Sequence, residues 1–179
     1  MNNQYKLITI NELNQDENSF IIANMFGSTF KNKKILITGH SGFKGSWLSI
    51  WLNNLGANVF GLSNDIVSQP SNYLISSIPD FVNDIKVDIR DGDKVKSLIK
   101  KIQPDFVFHL AAKALVKHSY NNPIDTFTSN VNGTLNILDS LKNIDKKIIT
   151  VMITSDKAYD NLEWPWGYRE NDRLGGKDP

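Results

Sequence analysis

The sequence predicts an α/β fold: a doubly wound parallel sheet with helices on both faces, incomplete on its C-terminal side. Three observations lead there. From Lys34 onward, short apolar runs alternate with segments of helical periodicity, the pattern of repeated β-α-β units. Three glycines stand between the first apolar run and the first helical segment. The residues able to handle protons or phosphates follow the runs, and an open parallel sheet gathers its ligands beyond the carboxyl ends of its strands.

Each element has its own signal. KILIT, residues 34–38, is a short apolar run suited to a buried strand, and Trp47, Leu48, Trp51, Leu52 and Leu55 then recur three and four apart as one apolar helix face. Leu55-Gly56 closes that helix, glycine being the usual residue after a helix end. NVFGL at 58–62 and DIKVDI at 84–89 read as the second and third strands, joined by a polar stretch with Pro70 and Pro79. Residues 95–102 read as a helix, DFVFHL at 105–110 as the fourth strand, 126–141 as a further helix and 148–154 as the fifth strand. Residues 1–24 are rich in asparagine with only short apolar pieces, so they are expected to be an extension of weak structure preceding a domain over 25–179.

Gross properties exclude several classes. The chain of 179 residues is long enough for one domain with a real core. A net charge of +1 without a basic block gives no electrostatic footprint for nucleic acid. The absence of cysteine rules out a disulfide scaffold and a thiolate metal site. His40, His109 and His118 lack metal-ligand spacing. No apolar run is of membrane-spanning length, and the polar start MNNQYKLITINELNQDENSF has no signal-peptide profile. No membrane partner and a cytoplasmic location are therefore expected.

In ILITGHSGFKGSW, Gly39, Gly42 and Gly45 form a G-x-x-G-x-x-G pattern. Gly39 permits a tight turn, Gly42 removes a Cβ that would block approach to a pyrophosphate, and Gly45 lets the helix pack closely on the strand. The helix amino terminus then offers free N–H groups and the positive end of its dipole to phosphate oxygens. This spacing differs from the commoner G-x-G-x-x-G. At the end of the second strand, where an acid usually holds the ribose of NAD, stand Ser63, Asn64 and Asp65, with no arginine following for an extra phosphate. NAD is favoured over NADP. Asp88 in DIRD is placed for an adenine amine or for a helix cap, the second role suiting Asp91 better.

Taken together, GHSGFKGSWL, DIRD, HLAAKALVKHSY, NVNGTLNIL and TSDKAYDNLEWPWGYRENDRLGGKDP, in this order, resemble the CDP-glucose 4,6-dehydratases, which are extended short-chain dehydrogenase/reductases making 4-keto-6-deoxy sugars for surface polysaccharide. The likeness runs over residues 26–179. It implies a Rossmann-type sheet, NAD as cofactor, CDP-glucose or a related nucleotide sugar as substrate, and a homodimer when complete. Gly39, Gly42, Phe43, Lys44 and Gly45 would follow the pyrophosphate, with Ser63 at the ribose and Asp88 and Ile89 flanking adenine. Leu110, Ala111, Ala112 and Lys113 would border the cofactor beyond the fourth strand. Lys113 and Ala114 depart from the glutamine and proline usual there. Asn130 is either a polar support between helix and sheet or an ordinary helix residue. Trp164, Trp166 and Tyr168 form either a lid on the sugar or a packing surface.

The same resemblance gives Ser155, Asp156 and Lys157 the catalytic roles. After hydride passes from sugar C4 to NAD, the new ketone acidifies the C5 proton. A base removes that proton while an acid protonates the departing C6 hydroxyl, water leaves, and hydride returns to C6. Asp156 is the expected acid, Lys157 the base or else a cation steadying the enolate, and Ser155 a hydrogen-bond partner of the C4 oxygen. The family's Tyr-x-x-x-Lys motif is expected to follow Asp178-Pro179, and nothing within the 179 residues replaces it. The chain alone is therefore expected to bind cofactor with little turnover. Two other readings stay open: a non-catalytic NAD-binding domain, and another sugar-nucleotide epimerase or dehydratase. Ser-Asp-Lys speaks against an epimerase, which needs neither a C6 acid nor a C5 base.

Overall fold

The structure is a computed structural model and describes residues 25–66 and 68–176. Its elements run β1 (Lys34–Thr38), α1 (Phe43–Asn54), β2 (Asn58–Ser63), α2 (Asn72–Ile75), β3 (Asn83–Lys86), α3 (Gly92–Ile102), β4 (Phe106–His109), α4 (Val116–Asn121), α5 (Pro123–Phe127), α6 (Gly133–Lys142) and β5 (Ile149–Met152). Alternate side chains of β1 leave on opposite faces, and both faces are covered. Ile35 and Ile37 enter one core with Leu52, Val59, Ile78 and Phe106, while Leu36 enters another with Leu62, Val95, Ile99, Val107 and Ile137. A strand buried on both sides reads as a continuous apolar run, which is why KILIT coincides with β1.

The five strands form one sheet in the order β3-β2-β1-β4-β5, and every neighbouring pair is parallel. The chain therefore winds outward from β1 to β3, crosses back to β4, and winds outward again. The direction reverses between β1 and β4, and a crevice opens beyond the carboxyl ends of strands at such a point. Among the described residues no helix is long and apolar enough to cross a membrane.

Several elements differ from expectation for physical reasons. The buried face of α1 is Gly45, Ser46, Ser49 and Leu52, whereas Trp47 and Trp51 are 54% and 47% exposed. Small residues let the helix axis approach the sheet, and the hydroxyls of Ser46 and Ser49 are satisfied within the helix by Phe43 O and Gly45 O, both at 2.8 Å. Strand β3 stops at Lys86 rather than residue 89. The expected helix over 126–141 is in fact α5, a π-helical turn at Thr128–Asn132, and α6. Helix α4, preceding them, was not anticipated. The polar stretch before β3 holds α2 and a 3₁₀ turn, Ile78–Asp80. The expectation for residues 1–24 lies outside the described residues.

Candidate functional site

The glycine turn begins where β1 ends. Gly39 adopts φ +75°, in the left-handed region, and a Cβ there would lie 2.8 Å from Ala111 N. The turn is closed by Gly39 N–H to Leu62 O at 2.7 Å and Gly42 N–H to Gly39 O at 3.1 Å. Gly42 is the N-cap of α1 and supplies no side-chain oxygen, so the first-turn N–H groups of the helix lack a side-chain partner. A Cβ on Gly45 would strike the Gly39 carbonyl and lie 2.7 Å from His40 Cα. The close packing that Gly45 allows is thus against the turn itself rather than against the strand.

Opposite this turn lies the end of β4. Asn130, in the π-helical turn, accepts the Lys113 N–H at 2.7 Å and donates to the Lys113 carbonyl at 3.2 Å, so its amide clamps the loop from both sides. Beneath, Thr38 Oγ1 is 2.7 Å from His109 Nδ1, and His109 Nε2 is 2.9 Å from Thr134 Oγ1. Thr134 donates onward to Asn130 O at 2.6 Å. Its hydroxyl proton is thereby committed, so it accepts from Nε2–H, and Thr38 donates to Nδ1. His109 is therefore neutral, and burial pushes its pKa down to about 4.

On the other side, Asp88 follows β3. Its carboxylate takes Arg90 Nε on both oxygens at 3.0 Å, and Arg90 Nη1 reaches Asp125 at 2.7 Å. Hydrogen bonding from Arg90 holds the Asp88 carboxyl below its ordinary range. Asp125 is lowered likewise, first by His118 at 2.9 Å and then by Arg90. Lys113 Nζ stands 3.9 Å from both Asp65 and Asp125. Asp91 instead caps α3 by accepting the Lys94 N–H at 3.2 Å.

These parts meet in one cleft. Gly39, Gly42, Ser63, Asp88 and Ile89 line it, as do Leu110, Ala111, Ala112 and Lys113. Phe43, Lys44 and Gly45, in the first turn of α1, do not line it, and Phe43 is exposed. The structure adds Ser41, Asn64, Asp65, Val87 and Ser129. Ser41 lay within the glycine motif and was open to notice. Ser129 carries no signal of its own, because the π-helical turn alone brings it to the cleft.

Ser155, Asp156 and Lys157 follow β5 and are exposed. Ser155 Oγ caps a 3₁₀ turn over Asp156–Ala158, accepting the Lys157 N–H at 3.3 Å and donating to Asp156 Oδ1 at 3.2 Å. Asp156 and Lys157 line a second depression together with Tyr159, Asn161 and Tyr168. They are not part of the first cleft's lining, and Ser155 lines neither. Tyr159 and Tyr168 stack at 5.2 Å, and Trp164 stacks on Tyr168 at 5.8 Å. The aromatic segment is thus a folded column beside the acid and the lysine.

A family model described as GDP-mannose 4,6 dehydratase matches residues 36–179. The chain is 46% identical over 150 residues to a CDP-glucose 4,6-dehydratase of Salmonella typhimurium, covering 84% of this chain and 42% of that protein. It is 33% identical over 132 residues to a CDP-paratose 2-epimerase of Salmonella typhi, covering 73% and 39%. Among solved structures, the Thermus thermophilus UDP-glucose 4-epimerase in complex with NAD superposes with a TM-score of 0.70 at 27% identity, over 81% of this chain and 45% of the other. The Stenotrophomonas maltophila UDP-glucose-4-epimerase gives 0.71 at 22% identity, over 82% and 44%, which speaks for the fold. The chain spans less than half the length of these relatives.

Proposed function

Because the chain belongs to the GDP-mannose 4,6 dehydratase family, we propose that it forms the dinucleotide-binding part of an NAD-dependent nucleotide-sugar 4,6-dehydratase whose substrate is CDP-glucose. The observation that carries the reading is the convergence of nine of the twelve expected cofactor residues on one cleft where the strand order reverses. The choice of CDP-glucose rests on the Salmonella typhimurium relative. The reading puts the protein in the cytoplasm, supplying a deoxysugar for O-antigen.

The residues present suit the dinucleotide. Gly39 and Gly42 present bare backbone, the uncapped start of α1 suits a phosphate, and Ser63, Asp88 and Ile89 wall the adenosine side. Bound there, NAD supplies the oxidation at C4 and the hydride returned to C6. The chain's own groups handle the protons of the elimination, and the proton removed from C5 goes back to C5 when hydride reaches C6, while the C4 hydroxyl proton would pass to the tyrosine of the expected Tyr-x-x-x-Lys motif. Lys157 takes the C5 proton, and the electron pair of that bond becomes the C5–C6 double bond. Asp156 protonates the C6 hydroxyl as its bond to carbon breaks and water departs, while Ser155 hydrogen-bonds the C4 oxygen. The cover that such an acid and base need comes from the substrate and from the further length that the relatives possess.

Two experiments test this. Calorimetric titration of the chain with NAD is expected to give saturable one-to-one binding, and an absence of binding rejects the cofactor assignment. In the complete enzyme with CDP-glucose, a keto-sugar absorbance in alkali is expected, and Asp156→Asn should lower turnover about 10²–10⁴-fold at unchanged NAD affinity. Epimerised sugar without loss of water would replace the dehydratase reading.

We also propose a homodimer. Tyr120, Ile124, Phe127, Val131, Leu135 and Leu138 recur three or four apart along α4 to α6 and are all exposed, forming an apolar stripe suited to a second copy. Sedimentation of the complete enzyme carrying Ile124→Glu and Leu135→Glu should show monomers, and an unchanged dimer places the interface elsewhere.

A further inference from the structure

The glycine turn contains a histidine that takes no part in the cleft. His40 is 0% exposed. Its ring lies over β2 at Gly61, where an added Cβ would overlap the imidazole and lie 2.7 Å from Nδ1. Its Nε2 is 2.7 Å from Asp84 Oδ1 on β3. Tyr73 of α2 packs edge-on against the ring at 5.4 Å and donates its hydroxyl to the other Asp84 oxygen at 2.9 Å. A carboxylate can only accept, so the imidazole proton sits on Nε2. His40 Nδ1 is then a buried polar atom with no partner among the described residues.

An unpaired buried acceptor is destabilising, and an apolar side chain would avoid that cost. What the imidazole provides in return is a tie from the turn across β2 to β3. The next residue, Ser41, ties the turn on the cleft side, its hydroxyl donating to Asp65 O at 2.7 Å. Consecutive residues of one turn are thus anchored in different directions, one beneath the sheet end and one at the cleft.

We propose that His40 is a positioning residue for the phosphate-binding turn, and that the Tyr73–Asp84–His40 chain holds the Gly39–Gly42 backbone in the shape that a dinucleotide pyrophosphate requires. This rests on the cofactor reading of the cleft. Gly61 and Asp84 belong to the same device: the first makes room for the ring and the second orients it. Residues on β3 and α2 that never touch the cofactor thereby govern how well it is held.

The test uses the 179-residue chain with His40→Leu, His40→Gln and Tyr73→Phe, and Ile78→Val as a packing control in the same core cluster. The glutamine Nε2 stands the same number of bonds from Cβ as the imidazole Nε2 and can donate to Asp84. Amide hydrogen exchange across residues 39–45 is expected to speed up about tenfold or more in His40→Leu, less in Tyr73→Phe, and to return near the parent rate in His40→Gln. The amides of Ile35–Ile37 and the Ile78→Val chain should keep parental rates. NAD affinity should fall about tenfold in His40→Leu and recover in His40→Gln. Equal exchange in the turn of parent, His40→Leu and Tyr73→Phe overturns the proposal. If His40→Leu does not fold, Tyr73→Phe, which keeps the ring packing, decides it. A parent chain that binds no NAD defeats the cofactor reading, and the exchange rates still decide the positioning role.

Discussion

His109 should make the stability of this chain depend on pH in a window where carboxylates contribute little. It is buried, and its pKa lies at about 4 instead of the ordinary 6.5 because burial disfavours the charged ring. Protonation would also set a new Nδ1–H against the Thr38 hydroxyl, which already donates to that nitrogen. Below pH 6.5 the unfolded chain takes up a proton that the folded chain refuses, so stability falls as pH falls, down to about pH 4. The contribution is fully present above the unfolded value and is lost on acidification. With these two values, linkage gives a loss of roughly 2 kcal/mol between pH 7 and pH 5 from this side chain. The assay is urea unfolding at pH 7, 6 and 5 for the parent and for His109→Gln, whose amide can accept from Thr38 and donate to Thr134 without titrating. The difference between the two curves isolates His109 from the other histidines. Parallel curves would refute the argument, because a ring that charges freely in the fold cannot be sealed between Thr38 and Thr134.

Three further outcomes follow from the packing. Gly45→Ala gains about 1 kcal/mol of helix propensity but drives a methyl into the Gly39 carbonyl; a net loss of roughly 1–2 kcal/mol in urea unfolding and abolished NAD binding are expected, and a stabilised variant would contradict the contact. Ile137→Ala empties a fully buried site beneath α6 and should cost about 2–5 kcal/mol by the same assay. Asp91→Ala removes the side-chain cap of α3 and should lower stability by the same assay, with the loss confined in exchange experiments to the first turn of that helix.

What was legible in the sequence follows from how local each cause is. β1 is buried on both faces, so its burial is written into every residue, and the glycine turn announces itself because backbone space can be provided only by glycine. On α1 periodicity puts Leu48, Leu52 and Leu55 correctly against the core, but it weighs the two tryptophans too heavily, and close approach to the sheet selects Gly45, Ser46 and Ser49 in their place. β3 lies at the sheet's outer position and ends early, a limit set by pairing rather than composition. The polar triplet after β5 is visible as a strand-end cluster, but no spacing reveals that its acid and lysine line a depression shared with the Tyr159–Tyr168 stack and apart from the first cleft. The Arg90–Asp125 link joins residues 35 positions apart and has no local trace.

The widened turn at Thr128–Asn132 carries more than its length suggests. One extra residue in a regular helix would rotate everything after it by about 100°, and a widened turn takes up that residue without passing the rotation on. A single rod can thus send Ser129 toward the cleft, turn Phe127 and Val131 to the outside, and still bring Ile137 back under the sheet. Shortening the segment by one residue would restore an even pitch and leave the faces on either side of it in phase, whereas lengthening it by one would swing Ile137 out of the interior. The segment should therefore tolerate the loss of one residue better than the gain of one.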